Sequence, residues 1–188
     1  MLLFEQYVKT NKTEFINKVK RISALLGINP DWLMAVMQLE SGINPQAVNR
    51  QPGDPSDPSQ RAAYRAVGLI QFMPATARGL GTSTQQLYGM TNLQQLDYVY
   101  KYYKGYSGRI NSFEDMYTVN FWPAALGKPL HYVMETKTLS ASLVAKQNPV
   151  FDLNKDGKIT YGEFLTAIRA IKEKQLGHNA ARVFEKKK

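Results

Sequence analysis

The chain contains no cysteine, so neither a disulfide scaffold nor thiol chemistry is open to it. Its two histidines, His131 and His178, are isolated, and neither has a zinc-ligand companion at suitable spacing. No apolar window approaches the length needed to cross a bilayer, so membrane insertion is not expected. The segment Met1-Leu2-Leu3-Phe4-Glu5 lacks a basic region followed by an apolar run, and no signal peptide is expected there. Sustained strand alternation is missing as well, leaving room for only a small sheet near a polar loop at 43–67. Acids are outnumbered by bases. The net charge of +9 suits an acidic partner such as nucleic acid, anionic lipid or a wall polymer, although a solvated basic surface is its commonest meaning. With 188 residues, 44% of them hydrophobic, the chain can bury a sizeable core, and no internal repeat or linker argues for two domains.

What is present is mostly helical patterning. Phe15, Ile16, Val19, Ile22 and Leu26 recur at helical spacing, predicting one or two amphipathic helices between Phe4 and Leu26. Residues 43–67 carry Pro45, Pro52, Gly53, Pro55 and Pro58, which rule out a long helix. Pro74 opens the next helix. Ser83 with Gln86 and Thr91 with Gln94 have capping-box spacing, so helices are expected after each. Another runs from near Ser112 to Trp122-Pro123. Tyr98, Tyr102 and Tyr106 share one helical face, a pattern that favours packing over stacking on a ligand.

The most informative residue is Glu40. Asn29 can cap a helix over Asp31–Ser41, Pro30 suits its first position and Gly42 can end it. Leu33, Val36 and Met37 form an apolar stripe whose next position is Glu40. A carboxyl there is partly desolvated and sits at the negative end of the helix dipole, and both effects favour its protonated form. That is how a general acid is prepared for work near neutral pH. A structural Glu paired with a basic residue is the bland alternative.

Around Glu40 stand Leu39-Glu40-Ser41-Gly42 and then Gly68-Leu69-Ile70-Gln71-Phe72-Met73-Pro74 with Ala75-Thr76-Ala77. Further on come Leu80-Gly81, Gln94-Gln95-Leu96-Asp97-Tyr98-Val99, Tyr117 and Trp122-Pro123-Ala124-Ala125-Leu126-Gly127-Lys128-Pro129. Each short motif is weak, but in this order they resemble the goose-type-lysozyme-like lytic transglycosylases, in the single-domain form found in phages. The resemblance covers most of residues 28–165. It implies a mainly α, lysozyme-like domain, peptidoglycan as substrate, and Glu40 as catalytic acid. It also implies that Ser41 and Gln71 position the sugar or the acid, and that a tyrosine orients the acid. The family's Tyr-Asn-Ala-Gly is replaced by Tyr117-Thr118-Val119-Asn120-Phe121, which leaves Tyr117 and Asn120 as candidates for that role.

A second motif, Asp152-Leu153-Asn154-Lys155-Asp156-Gly157-Lys158-Ile159-Thr160-Tyr161-Gly162-Glu163, follows the EF-hand calcium loop. Asp152, Asn154 and Asp156 supply oxygens, Gly157 the turn, Lys158 a carbonyl, Thr160 a direct or water-bridged contact, and Glu163 both carboxylate oxygens. Ile159 would point into the core. An exiting helix over Phe164–Lys174 is clear, whereas Pro149 interrupts an entering one. A single loop of this kind implies a structural Ca2+ rather than a calcium sensor.

The expected organisation is an N-terminal helical segment (1–27), a lysozyme-like catalytic domain (28–148), a calcium loop and helix packed on it (149–176), and a basic tail (177–188) ending in Lys186-Lys187-Lys188. The expected activity is a lytic transglycosylase reaction with Glu40 as sole acid and base. A hydrolase in which Asp54 or Asp57 holds a water is the nearer rival, and a non-catalytic wall-binding virion component the farther one. The partner expected is peptidoglycan, without nucleic acid. A monomer is expected, acting on the bacterial wall from a virion, as a lysis enzyme or by another export route.

Overall fold

A computed structural model describes residues 1–185. Its regular structure is helical, and no β-strand is present among the described residues. Isolated bridges join Val48 to Val67 and Val67 to Phe72 in the polar-loop region, and Val133 to Thr160 farther on. The chain gathers into two compact units that divide between Gly108 and Arg109.

In the first unit, α1 (Lys12–Leu26) buries Phe15, Val19, Ile22 and Leu26 along one face and ends at Gly27, whose φ of 68° suits glycine. Helix does not extend back to Phe4 as the apolar spacing predicted. Phe4 and Asn11 take left-handed backbone, and only Glu5–Tyr7 forms a 3-10 turn between them. The cause is tertiary: Leu2, Leu3 and Phe4 are buried, and the Leu3 N–H donates to Asp31 Oδ1 at 2.8 Å.

The next helix, α2 (Pro30–Ser41), has the predicted signals at both ends. Asn29 Oδ1 accepts from the Asp31 N–H at 2.9 Å, Pro30 opens the helix, and Gly42 closes it at φ 63°. Its apolar surface is wider than the predicted stripe. Trp32, Leu33, Met34, Ala35, Val36 and Met37 are all fully buried, so α2 runs through the core, and its last turn, Gln38 to Ser41, approaches solvent.

The polar loop holds a single turn, α3 (Pro58–Arg61), and is followed by α4 (Pro74–Gly79) and α5 (Thr84–Tyr88), the latter capped by Ser83. Helix α6 (Asn92–Lys104) starts with a complete Thr91–Gln94 capping box and packs, like α2, on α1. No single helix among the described residues is long and apolar enough to cross a membrane.

The second unit contains α7 (Phe113–Phe121), α8 (Ala141–Gln147), α9 (Tyr161–Leu176) and α10 (Ala180–Val183). Phe121 stacks on Phe164 at 4.9 Å, and Phe151 meets both rings edge-on. The segment expected as a tail from residue 177 is ordered into Phe184. Gly177–Asn179 makes a 3-10 turn, Val183 is buried, and Phe184 packs edge-on against Phe113 at 5.4 Å. Apolar burial is what holds this segment down. Lys186, Lys187 and Lys188 lie outside the described residues.

Candidate active site and calcium loop

In the first unit, Glu40 sits half-buried in the last turn of α2. The helix closes on itself there: Gly42 N–H donates to the Gln38 carbonyl at 3.0 Å and Ile43 N–H to the Met37 carbonyl at 3.1 Å. The acid is thereby held on a well-ended helix rather than on a fraying one.

Ser41 joins the two leading motifs. Its hydroxyl lies 3.0 Å from both the Met37 and the Leu69 carbonyl oxygens, tying the end of α2 to the Gly68–Gln71 turn. That turn is closed by a reciprocal pair, Val67 N–H to Phe72 carbonyl at 3.1 Å and Phe72 N–H to Val67 carbonyl at 2.8 Å. Gln71 takes left-handed backbone (φ 55°), and its amide Nε2 donates to the Ala47 and Gly68 carbonyls at 3.2 and 3.1 Å. Both side chains thus serve the architecture beside Glu40.

Gln95 was missed as a site residue and proves to be the centre of this arrangement. The fully buried side chain accepts the Leu69 N–H at 3.0 Å through Oε1 and donates through Nε2 to the Pro45 and Leu87 carbonyls at 2.5 and 2.7 Å. Gly68 is required beneath it, because a Cβ at φ 84° would come within 2.9 Å of the amide Cδ and Nε2. A polar residue among Leu96, Val99 and Tyr103 on α6 was the available signal. We expect Gln95→Leu to cost on the order of 3 kcal/mol in denaturant unfolding, since it orphans three backbone groups, two buried and one part-buried. A loss under about 0.5 kcal/mol, the scale of an ordinary surface change, would show that the amide does not hold the turn.

The polar loop spends its carboxylates internally. Arg65 donates to both oxygens of Asp54 at 2.8 Å, and Asp54 also accepts the Gln51 N–H at 2.9 Å. With its side chain only 7% exposed, Asp54 is held below the usual carboxylate range by the Arg65 hydrogen bonds, which outweigh desolvation. Asp57 caps α3 by accepting the Ser59 hydroxyl at 2.7 Å and the Ser59 N–H at 2.8 Å, and these bonds lower its pKa too. Buried Arg61 donates to the Asn49, Pro55 and Ser56 carbonyls and fixes the loop path.

In the second unit, Tyr117 and Asn120 lie one turn apart on α7, the first 8% exposed and the second half-buried. Trp122 follows as the helix ends, half-buried, its Nε1 enclosed without a hydrogen-bond partner.

The 152–163 loop has its own order. Asp152 Oδ2 accepts the Gly157 N–H at 3.1 Å, Asn154 Oδ1 the Asp156 N–H at 2.9 Å, and Asp156 Oδ1 the Lys158 N–H at 3.0 Å. Glu163 caps α9 through Thr160. Burial alone would raise its carboxyl, but the Thr160 N–H and hydroxyl and the Asn154 and Leu153 N–H groups outweigh that and hold it low. Ile159 is buried, and its carbonyl accepts the Met134 N–H at 2.9 Å, so residues 132–134 cover the edge of the loop. Among the described residues no three His, Cys, Asp or Glu side chains converge as they stand on one metal position. Asp152 Oδ1 is nonetheless buried and without a hydrogen-bond partner, an oxygen whose desolvation a cation would offset.

The family model of the transglycosylase SLT domain matches residues 19–112. The match spans Glu40, Ser41, Gln71 and Gln95 and stops short of Tyr117. No curated protein and no solved structure matches the chain.

Proposed function

Because the chain belongs to the transglycosylase SLT domain family, whose activity is peptidoglycan breakdown by lytic transglycosylases, we propose that it cleaves the β-1,4 link between N-acetylmuramic acid and N-acetylglucosamine with Glu40 as the only acid–base group. The carboxylic acid of Glu40 donates its proton to the glycosidic oxygen as the bond from that oxygen to the muramic acid C1 breaks. The resulting carboxylate takes the proton of the muramic acid 6-hydroxyl as that oxygen closes onto C1. The product end is a 1,6-anhydro sugar, Glu40 is again protonated, and no water is consumed. Ser41 and Gln71 hold the acid-bearing helix end and the turn that faces the sugar, and we assign the role of orienting the acid to Tyr117, with Asn120 as the alternative.

One observation favours the lyase over a hydrolase. A second carboxylate would be needed to activate water, and the two that follow Glu40 in sequence, Asp54 and Asp57, are committed to Arg65 and to the α3 cap. Changing both to Asn should leave the product and most of the rate, which mass spectrometry of digested peptidoglycan would establish. Hydrated products from wild type, together with loss of turnover in the double variant, would establish the hydrolase. The same change has a pH signature. The folded-state pKa of Asp54 lies below its ordinary value of 3.8, so its stabilisation is complete above that pH and fades as pH falls through the folded value. The stability advantage of wild type over Asp54→Asn should therefore shrink in acid unfolding below that point.

We also propose that the 152–163 loop holds one Ca2+ through Asp152, Asn154, Asp156, the Lys158 carbonyl, Thr160 and Glu163. The ion supplies no step of the reaction and braces the start of α9. Action at the bacterial wall as a monomer completes the reading.

A further inference from the structure

Lys172 is only 8% exposed on α9, an unusual place for an ammonium group. Its Nζ donates to Gln175 Oε1 at 3.1 Å and stands 4.4 Å from the centroid of the Tyr117 ring. Tyr117 is itself 8% exposed, so this cation meets the π face with little water to screen it. The approach is built into the packing of α7 on α9. Glu114 pairs with Arg169 at 2.8 Å, and Phe121 stacks on Phe164 at 4.9 Å. These contacts, at 114 and 121 on one helix and 164 and 169 on the other, join the two helices on which Tyr117 and Lys172 stand.

We propose that Lys172 is a positioning residue that acts through Tyr117. The attraction between ammonium and ring fixes the plane of the phenol. The same positive charge draws electron density from the ring and makes the hydroxyl a stronger hydrogen-bond donor. Sequence-remote α9 thereby prepares a side chain of the reaction without touching substrate. The inference rests on the assignment of Tyr117 as the residue that orients the acid.

The test uses the full chain, soluble peptidoglycan fragments as substrate, and four variants: Lys172→Met, Lys172→Arg, Tyr117→Phe and the double Lys172→Met/Tyr117→Phe. Lys172→Met keeps the aliphatic stem and removes the charge, and should lower kcat about tenfold with little change in KM. Lys172→Arg restores a cation and should recover most of the rate. Tyr117→Phe should lower kcat, and adding Lys172→Met to it should cost no more than about twofold, because the two act as one unit. If Lys172→Met does not fold, Lys172→Gln carries the same expectation. A wild-type rate in Lys172→Met while Tyr117→Phe is impaired overturns the role of Lys172 alone. Independent, multiplying losses overturn it as well, and a full-rate Tyr117→Phe overturns both assignments.

Discussion

Glu40→Gln should leave the fold intact and remove nearly all wall-degrading activity. The amide has the shape of the acid and keeps most of its hydrogen bonding, yet it can neither give nor take the proton that the proposed cycle passes twice. Proton transfer by a positioned side chain contributes about 10²–10⁴-fold, and here one group carries both transfers. Stability should change little. The core of α2 is Trp32 to Met37, whereas position 40 is half-buried in the last turn, beyond that stretch. Circular dichroism and thermal unfolding of the variant, beside release of soluble fragments from purified walls, make the comparison. Wall clearing at the wild-type rate by a folded Glu40→Gln protein would sink the assignment. Retained binding to walls without clearing would also separate an inactivated enzyme from a protein that never turned over, provided wild type clears.

The ends of α2 were legible because each is written in local chemistry: an Asn side chain that caps, a proline that needs no N–H, a glycine that accepts positive φ. Its surroundings were not. Leu33, Val36 and Met37 suggested one stripe, but Met34 and Ala35 are equally buried, which only the packing of neighbouring helices decides. The start of the chain shows the same limit. Apolar spacing ran on through Phe4, while the hydrogen bond from Leu3 to Asp31, formed across 28 residues, favours a different local backbone.

In the first unit, the motifs marked two segments that meet, Ser41 and the Gly68–Gln71 turn, and not what each side chain does. Ser41 and Gln71 were expected to position either sugar or acid, and their polar atoms engage carbonyls of the turn and helix end. Asp54 stayed open because its partner is Arg65, and their meeting depends on a loop path that Arg61 sets through three carbonyls. Gln95 and Lys172 were invisible for one reason. A polar group inside a core is explained by partners distant in sequence, Pro45 and Leu69 for the amide, Tyr117 for the ammonium, and periodicity carries no information about them.

Calcium should raise the thermal stability of the protein and leave its chemistry unchanged. Asp152, Asp156 and Glu163 bring three acids into a twelve-residue loop whose oxygens are now occupied largely by its own N–H groups, with Asp152 Oδ1 buried and unpartnered. A cation relieves their mutual repulsion and satisfies that oxygen. An ion bound only by the folded state stabilises it by mass action, by about 2.7 kcal/mol at a hundredfold excess over its dissociation constant. The gain should be felt at the start of α9, where Thr160 and Glu163 form the capping box. Chelation should therefore lower the melting temperature, and Glu163→Gln should abolish the difference between calcium and chelator. Because both proposed proton transfers belong to Glu40, glycan cleavage should persist under chelation at any temperature where the enzyme stays folded. Identical melting curves with and without calcium would refute the site. Activity lost on chelation from a demonstrably folded protein would instead make the ion part of the catalytic apparatus.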